Sequence, residues 1–125
     1  MRCLDAPDGQ AHPDAAHARV RTFLAALPGR CHEAWSLAAM AAACGLGRTR
    51  FAELCRELSG EQPVALLQRL RIERAMGLLR GRRSITAIAL DCGFGSSQYF
   101  ARVFARRCGQ PPGAWRASAS QREGG

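Results

Sequence analysis

Leu37-Ala-Ala-Met-Ala-Ala-Ala-Cys-Gly-Leu-Gly47 is followed, 48 positions on, by Ile85-Thr-Ala-Ile-Ala-Leu-Asp-Cys-Gly-Phe-Gly95. Ala39, Ala41, Cys44, Gly45 and Gly47 recur as Ala87, Ala89, Cys92, Gly93 and Gly95, while Leu37, Met40 and Leu46 are matched by Ile85, Ile88 and Phe94. After a one-residue slip the match resumes at offset 49, with Phe51-Ala52 against Phe100-Ala101, Gly60 against Gly109 and Pro63 against Pro112. A repeat this short marks a supersecondary unit used twice. Each copy reads as a short apolar helix, a turn at glycine, and a polar helix carrying an aromatic. That is the pattern of a helix-turn-helix.

Working outward, helical periodicity predicts a helix over 14–27, with Val20, Phe23, Leu24 and Leu27 on its apolar side and Pro28-Gly29 as its stop. Ser36 and Ser84 stand where N-caps belong, and Gly45 and Gly93 where left-handed turns belong. The two polar helices are expected over 48–58 and 96–108, turning Phe51, Leu54, Cys55 and Leu58, and then Phe100, Val103 and Phe104, inward. Between them a longer helix over 63–80 opens at Pro63, a residue favoured in a first helical turn. Leu67, Leu70, Ala75, Leu78 and Leu79 form its apolar face, and Arg69, Arg71 and Arg74 are expected to decorate the remainder. Pro111-Pro112 opens a last turn or two ending near Trp115-Arg116. No stretch alternates well enough for a strand, so the expected class is all-α with about seven helices. The expected division is a disordered tail at 1–12, a first subdomain at 13–62, a linker helix at 63–81, a second subdomain at 82–117 and a disordered tail at 118–125.

Charge narrows the choice of partner. All 18 basic residues are arginine, the net charge is +8 and the pI about 10.4, which suits a polyanion. The charge is lopsided: residues 1–62 hold seven Arg against seven acids, whereas 63–125 hold eleven against three. No apolar run approaches the roughly 18 residues a membrane span needs, and the polar N-terminus is unlike a signal peptide. None of the six cysteines forms a CxxC pair, so zinc-ligand spacing is missing, and Cys44, Cys55 and Cys92 read as small buried hydrophobes. Unpaired thiols suit a reducing cytoplasm. His12, His17 and His32 have no acid at catalytic spacing, and no glycine-rich phosphate loop is present. Neither a catalytic site, a metal nor a cofactor is expected.

Over residues 35–116, and weakly at 14–27, the chain resembles the DNA-binding domain of the AraC/XylS family of bacterial transcription regulators. The resemblance rests on Ile88-Ala89, Gly93-Phe94, Tyr99-Phe100, Phe104, Gly109, Pro112 and Trp115-Arg116, together with Arg71, Ala75 and Leu78-Leu79 of the long helix. It implies two homeodomain-like helix-turn-helix subdomains bridged by a rigid helix, with recognition helices entering successive major grooves of double-stranded DNA. The family's base-reading positions fall on Gln98 and Arg102 in the second unit and on Thr49, Ala52 and Glu53 in the first. Arg suits guanine O6/N7 and Gln suits adenine N6/N7, Thr and Ala can touch a thymine methyl, and Glu can accept from cytosine N4. Ser96, Ser97, Arg48, Arg50 and Arg106 are the expected phosphate contacts. Gly47 replaces the family's usual polar cap before the first recognition helix. Tyr99, Phe100 and Phe104 read as core aromatics.

The implied function is a sequence-specific regulator, an activator that also touches RNA polymerase and can bind DNA as a monomer in the cytoplasm. Twelve to thirty N-terminal residues are too few for a ligand-sensing domain. The chain is therefore expected either to act alone or to be the DNA-binding part of a longer regulator. The competing reading is a protein-interaction module that docks on RNA polymerase or another regulator and reads little DNA. The near-neutral first half favours it slightly.

Overall fold

The computed structural model describes residues 13–124, among which seven α-helices and one 3-10 turn occur and no strand. The tail expected at 1–12 lies outside the described residues. Contacts divide the described chain into two units. One holds the residues up to Arg30 together with Trp35–Leu67, and the other holds Cys31–Ala34 together with Gln68 onward.

In the first unit, α1 (Pro13–Ala26) runs into the 3-10 turn Leu27–Gly29, followed by α2 (Leu37–Ala43) and α3 (Arg48–Ser59). Ser36 is extended, and its Oγ accepts the Ala39 N–H at 3.0 Å, satisfying a donor that the helix itself cannot. At the other end of α2 the Cys44 carbonyl accepts from Arg19 Nε at 2.8 Å, and Gly45 takes φ 69° to turn the chain into α3. Val20, Leu27, Met40, Ala41, Cys44, Phe51, Leu54 and Cys55 are buried. Phe23 meets Trp35 and Phe51 edge-on at 5.1 and 5.9 Å, a geometry aromatic quadrupoles favour. The Trp35 indole N–H is satisfied by the Arg30 carbonyl at 2.9 Å.

Helix α4 (Pro63–Leu79) has 17 residues, roughly 25 Å at the helical rise. The division by contacts falls inside it rather than at its start. From Gln68 the helix expected to be a separate bridge is the first helix of the second unit, because Ile72, Ala75 and Leu79 bury themselves in that unit's core. Helices α5 (Ile85–Asp91), α6 (Ser97–Cys108) and α7 (Pro112–Gly124) complete it. Ser84 Oγ accepts from Ala87 N at 3.1 Å, repeating the cap of the first unit. Phe94, Phe100, Phe104 and Trp115 form a continuous aromatic row with centroid spacings of 5.0, 5.6 and 5.8 Å. Each fully buried Phe contributes about 1.5–3 kcal/mol through removal from water. Arg116 closes the C-terminal end of α4 by donating to the Leu79 carbonyl (2.9 Å) and the Arg83 carbonyl (2.6 Å), and Arg83 also pairs with Asp91.

Two expectations need correction. Arg71, read as a surface decoration, is buried, and donates to the Cys31 carbonyl from Nε and to the Glu33 carbonyl from Nη2, each at 2.7 Å. Burial pushes its guanidinium pKa below the usual value, yet two backbone acceptors satisfy the charge. The last helix, expected to end near Trp115-Arg116 with a disordered tail from 118, continues to Gly124. Ala119 is buried against the core of the second unit and extends the helical face that Trp115 begins, four residues earlier.

Candidate nucleic-acid interface

Helix α6 is amphipathic by construction. Phe100, Val103 and Phe104 are buried, which leaves Gln98, Arg102 and Arg106 exposed on the opposite side at intervals of four residues. Residues four apart on a helix are neighbours along one stripe. Gln98 and Arg102 therefore share an outward face, and Arg106 continues it into the last turn. There a cation also suits the negative end of the helix dipole. At the start of the helix Ser96 is extended and its Oγ accepts from Tyr99 N at 3.1 Å. Its hydroxyl proton stays available for an outside acceptor, as a cap uses only a lone pair. Ser97 is half-buried beside it.

Helix α3 presents a different surface. Its N-cap is Gly47, which offers no side-chain bond, so its first N–H groups are less protected than those of α6. Arg48, Thr49 and Arg50 are exposed, Ala52 is half-buried, and Glu53 is exposed. Arg50 Nη1 lies 3.5 Å from Glu53 Oε1, one turn apart. The carboxylate expected to accept from a cytosine is thus already paired within its helix. Arg48, Thr49, Ala52 and Glu53 line one shallow depression together with Leu37, Arg56 and Gln62. Arg56 and Gln62 were missed by sequence reasoning. Gln62 joins only because Gly60, at φ 80°, turns the chain back after α3.

Tyr99, read as a core aromatic, packs against the edge of the second unit's core. It is half-buried, its ring meets Phe94 at 5.8 Å, and its Oη accepts from Gln68 Nε2 at 2.8 Å. The Arg102 guanidinium lies 5.7 Å from its ring centroid. No sequence signal pairs Gln68 with Tyr99, 31 residues away.

The thiols are part of the packing. Cys31, Cys44, Cys55 and Cys92 are buried and Cys108 is half-buried. Burial pushes all five thiol pKa values up, that of Cys92 to about 11, so they are neutral core groups at physiological pH. No helix among the described residues is long and apolar enough to cross a membrane.

Known proteins share this arrangement. Residues 40–118 match the family model described as a helix-turn-helix domain. The chain is 32% identical over 96 residues to the RCS-specific HTH-type transcriptional activator RclR of Escherichia coli K12, covering 76% of this chain and 33% of that protein. It is 30% identical over 119 residues to the MmsAB operon regulatory protein of Pseudomonas aeruginosa, covering 94% and 36%. The chain thus spans about a third of the length of these curated relatives. Among solved structures, the DNA-binding domain of AdpA, crystallised with a target DNA, matches with a TM-score of 0.80 at 28% identity, covering 83% of this chain and 95% of that one. An AraC-type regulator from Chromobacterium violaceum matches with a TM-score of 0.72 at 25% identity, covering 86% and 97%.

Proposed function

The chain belongs to the AraC family of helix-turn-helix transcription regulators, and on that premise we propose that it reads specific double-stranded DNA sequences and regulates transcription as an activator. Its two recognition helices, α3 and α6, enter successive major grooves about one helical turn, roughly 34 Å, apart. One helix contacts only a few base pairs, and a genome offers many competing sites, so two readers in one chain gain affinity without dimerisation. Accordingly the chain binds as a monomer. Its partner beyond DNA is RNA polymerase and its compartment the cytoplasm. No catalytic step is assigned to it.

The observation that carries this reading is the outward stripe of α6, where Gln98 and Arg102 stand clear of a fully packed aromatic core. In this reading Gln98 and Arg102 recognise bases, with Thr49 and Ala52 their weaker counterparts on α3, while Glu53, engaged by Arg50, reads no base. Ser96, Ser97, Arg48, Arg50 and Arg106 hold phosphates. A docking module would have no need of paired Gln and Arg at base-reading spacing, which is why the protein-interaction reading ranks second. Selection of bound duplexes from a random pool tests the proposal. Arg102→Ala should then cost about 1–3 kcal/mol on the selected site and relax preference at one base pair. An equal loss on random duplexes would mean that Arg102 only attracts phosphate.

Glu53 supplies a second test, since its carboxylate is already engaged by Arg50. An exposed pair of this kind is worth ~0.2–1 kcal/mol. Glu53→Gln should release Arg50 toward the phosphates and tighten binding by up to about fivefold on every duplex, leaving the selected motif unchanged. Weakening confined to one base pair would show instead that the carboxylate accepts from a cytosine.

A further inference from the structure

Three separate contacts fix Tyr99 on its recognition helix. Its backbone N–H is held by Ser96 Oγ at 3.1 Å. Its ring packs on Phe94 at 5.8 Å. Its hydroxyl accepts from Gln68 Nε2 of α4 at 2.8 Å, within the same unit. One turn further along, the Arg102 guanidinium sits over the ring, 5.7 Å from its centroid. That distance lies within the range over which an aromatic face attracts a cation.

We propose that Tyr99, locked by Gln68, is the positioning residue that aims the Arg102 guanidinium at its base pair. The proposal rests on the reading of Arg102 as a base-reading side chain and adds what holds it in place. An exposed arginine samples many rotamers, and ordering it on binding opposes recognition. A cation–π contact with a fixed ring removes part of that freedom beforehand. The attraction acts on the guanidinium's charge and uses none of its donors, which are five N–H groups in the guanidinium plane. A guanidinium held over Tyr99 therefore keeps its fork free for two parallel bonds to a guanine edge. Gln68 makes the platform rigid from α4, so the aim of the reading side chain depends on a helix that reads nothing itself.

The test compares Tyr99→Phe, Gln68→Leu, their double variant and Tyr99→Leu in the whole chain. The probes are the selected duplex, versions altered at the base pair that responds to Arg102→Ala, and a random duplex. Tyr99→Phe keeps the ring and loses only the tether, so it and Gln68→Leu should each lower discrimination at that one base pair, and the double variant should lose no more than either single. Tyr99→Leu removes the ring and should lower it further, by about two- to fivefold. Affinity for random duplex should stay unchanged throughout. The proposal is overturned if all four variants discriminate like the parent while Arg102→Ala does not. It is also overturned if they lose affinity evenly on every sequence, as a purely structural role requires. Where Arg102→Ala itself keeps full discrimination, the base-reading role fails first, and the two failures are told apart by that variant alone.

Discussion

Gly93→Ala is expected to lower the unfolding free energy of the second unit by about 2–5 kcal/mol, read as a fall in the urea midpoint. Two penalties combine. Gly93 holds φ at 92°, where an L side chain is strained. An added Cβ would also lie 2.8 Å from Arg71 Nε and 2.9 Å from the His32 carbonyl oxygen. Neither neighbour can easily retreat, since Arg71 is tied to the Cys31 and Glu33 carbonyls. Gly109 separates the two penalties. Its φ is 82°, but a Cβ added there would meet nothing within 4 Å, so Gly109→Ala should cost only the backbone strain, about 1–2 kcal/mol. Equal losses at the two sites would show that the contact around Gly93 relaxes and that strain alone keeps glycine there.

The same glycine shows what was legible in the sequence and what was not. Gly45 and Gly93 could be assigned to turns, and Ser36 and Ser84 to caps, because capping and left-handed turns depend on residues three or four apart. Gln98 and Arg102 are named by the resemblance to the AraC/XylS family, and helical period sets them opposite the buried Phe100, Val103 and Phe104. Arg71 could not be placed this way. An arginine on an amphipathic helix reads as surface, and its acceptors are backbone carbonyls 38 and 40 residues earlier, which carry no side-chain signature. The extension of α7 was hidden for a related reason. Ser118, Ala119 and Ser120 are small, and only contact with the core of the second unit makes Ala119 an apolar anchor.

The candidate site divides along similar lines. Its base-reading positions come from the family resemblance and helical period only puts them on exposed faces, whereas most of the contacts that tune them leave no sequence signal. The Arg50–Glu53 pair follows i,i+3 spacing and is the one tuning contact that the sequence carries in principle. The Gln68–Tyr99 bond joins two helices across 31 residues, and Gln62 reaches the depression beside α3 only after the turn at Gly60. Long-range hydrogen bonds between unremarkable polar residues leave no periodic trace.

Arg71→Met is the second change of large expected effect, a loss of about 2–4 kcal/mol in urea unfolding. Methionine retains most of the stem's packing but leaves the Cys31 and Glu33 carbonyls without the donors that satisfy them. Each hydrogen bond from a charged donor is worth about 1.5–3 kcal/mol. Against this stands the desolvation of a buried guanidinium, which methionine avoids and which keeps the net loss below the sum of the two bonds. Arg71→Lys should fall between the two, because an ammonium keeps the charge but lacks the fork that spans both carbonyls. A methionine variant as stable as the parent would mean that the desolvation penalty cancels both bonds. The decisive measurement combines the two sites. With Arg71→Met in place, the alanine at position 93 meets a flexible thioether in place of a tethered guanidinium. Gly93→Ala should then cost at least about 1 kcal/mol less than in the parent. Strictly additive losses would separate the two residues energetically and leave the His32 carbonyl as the contact that excludes a side chain at Gly93.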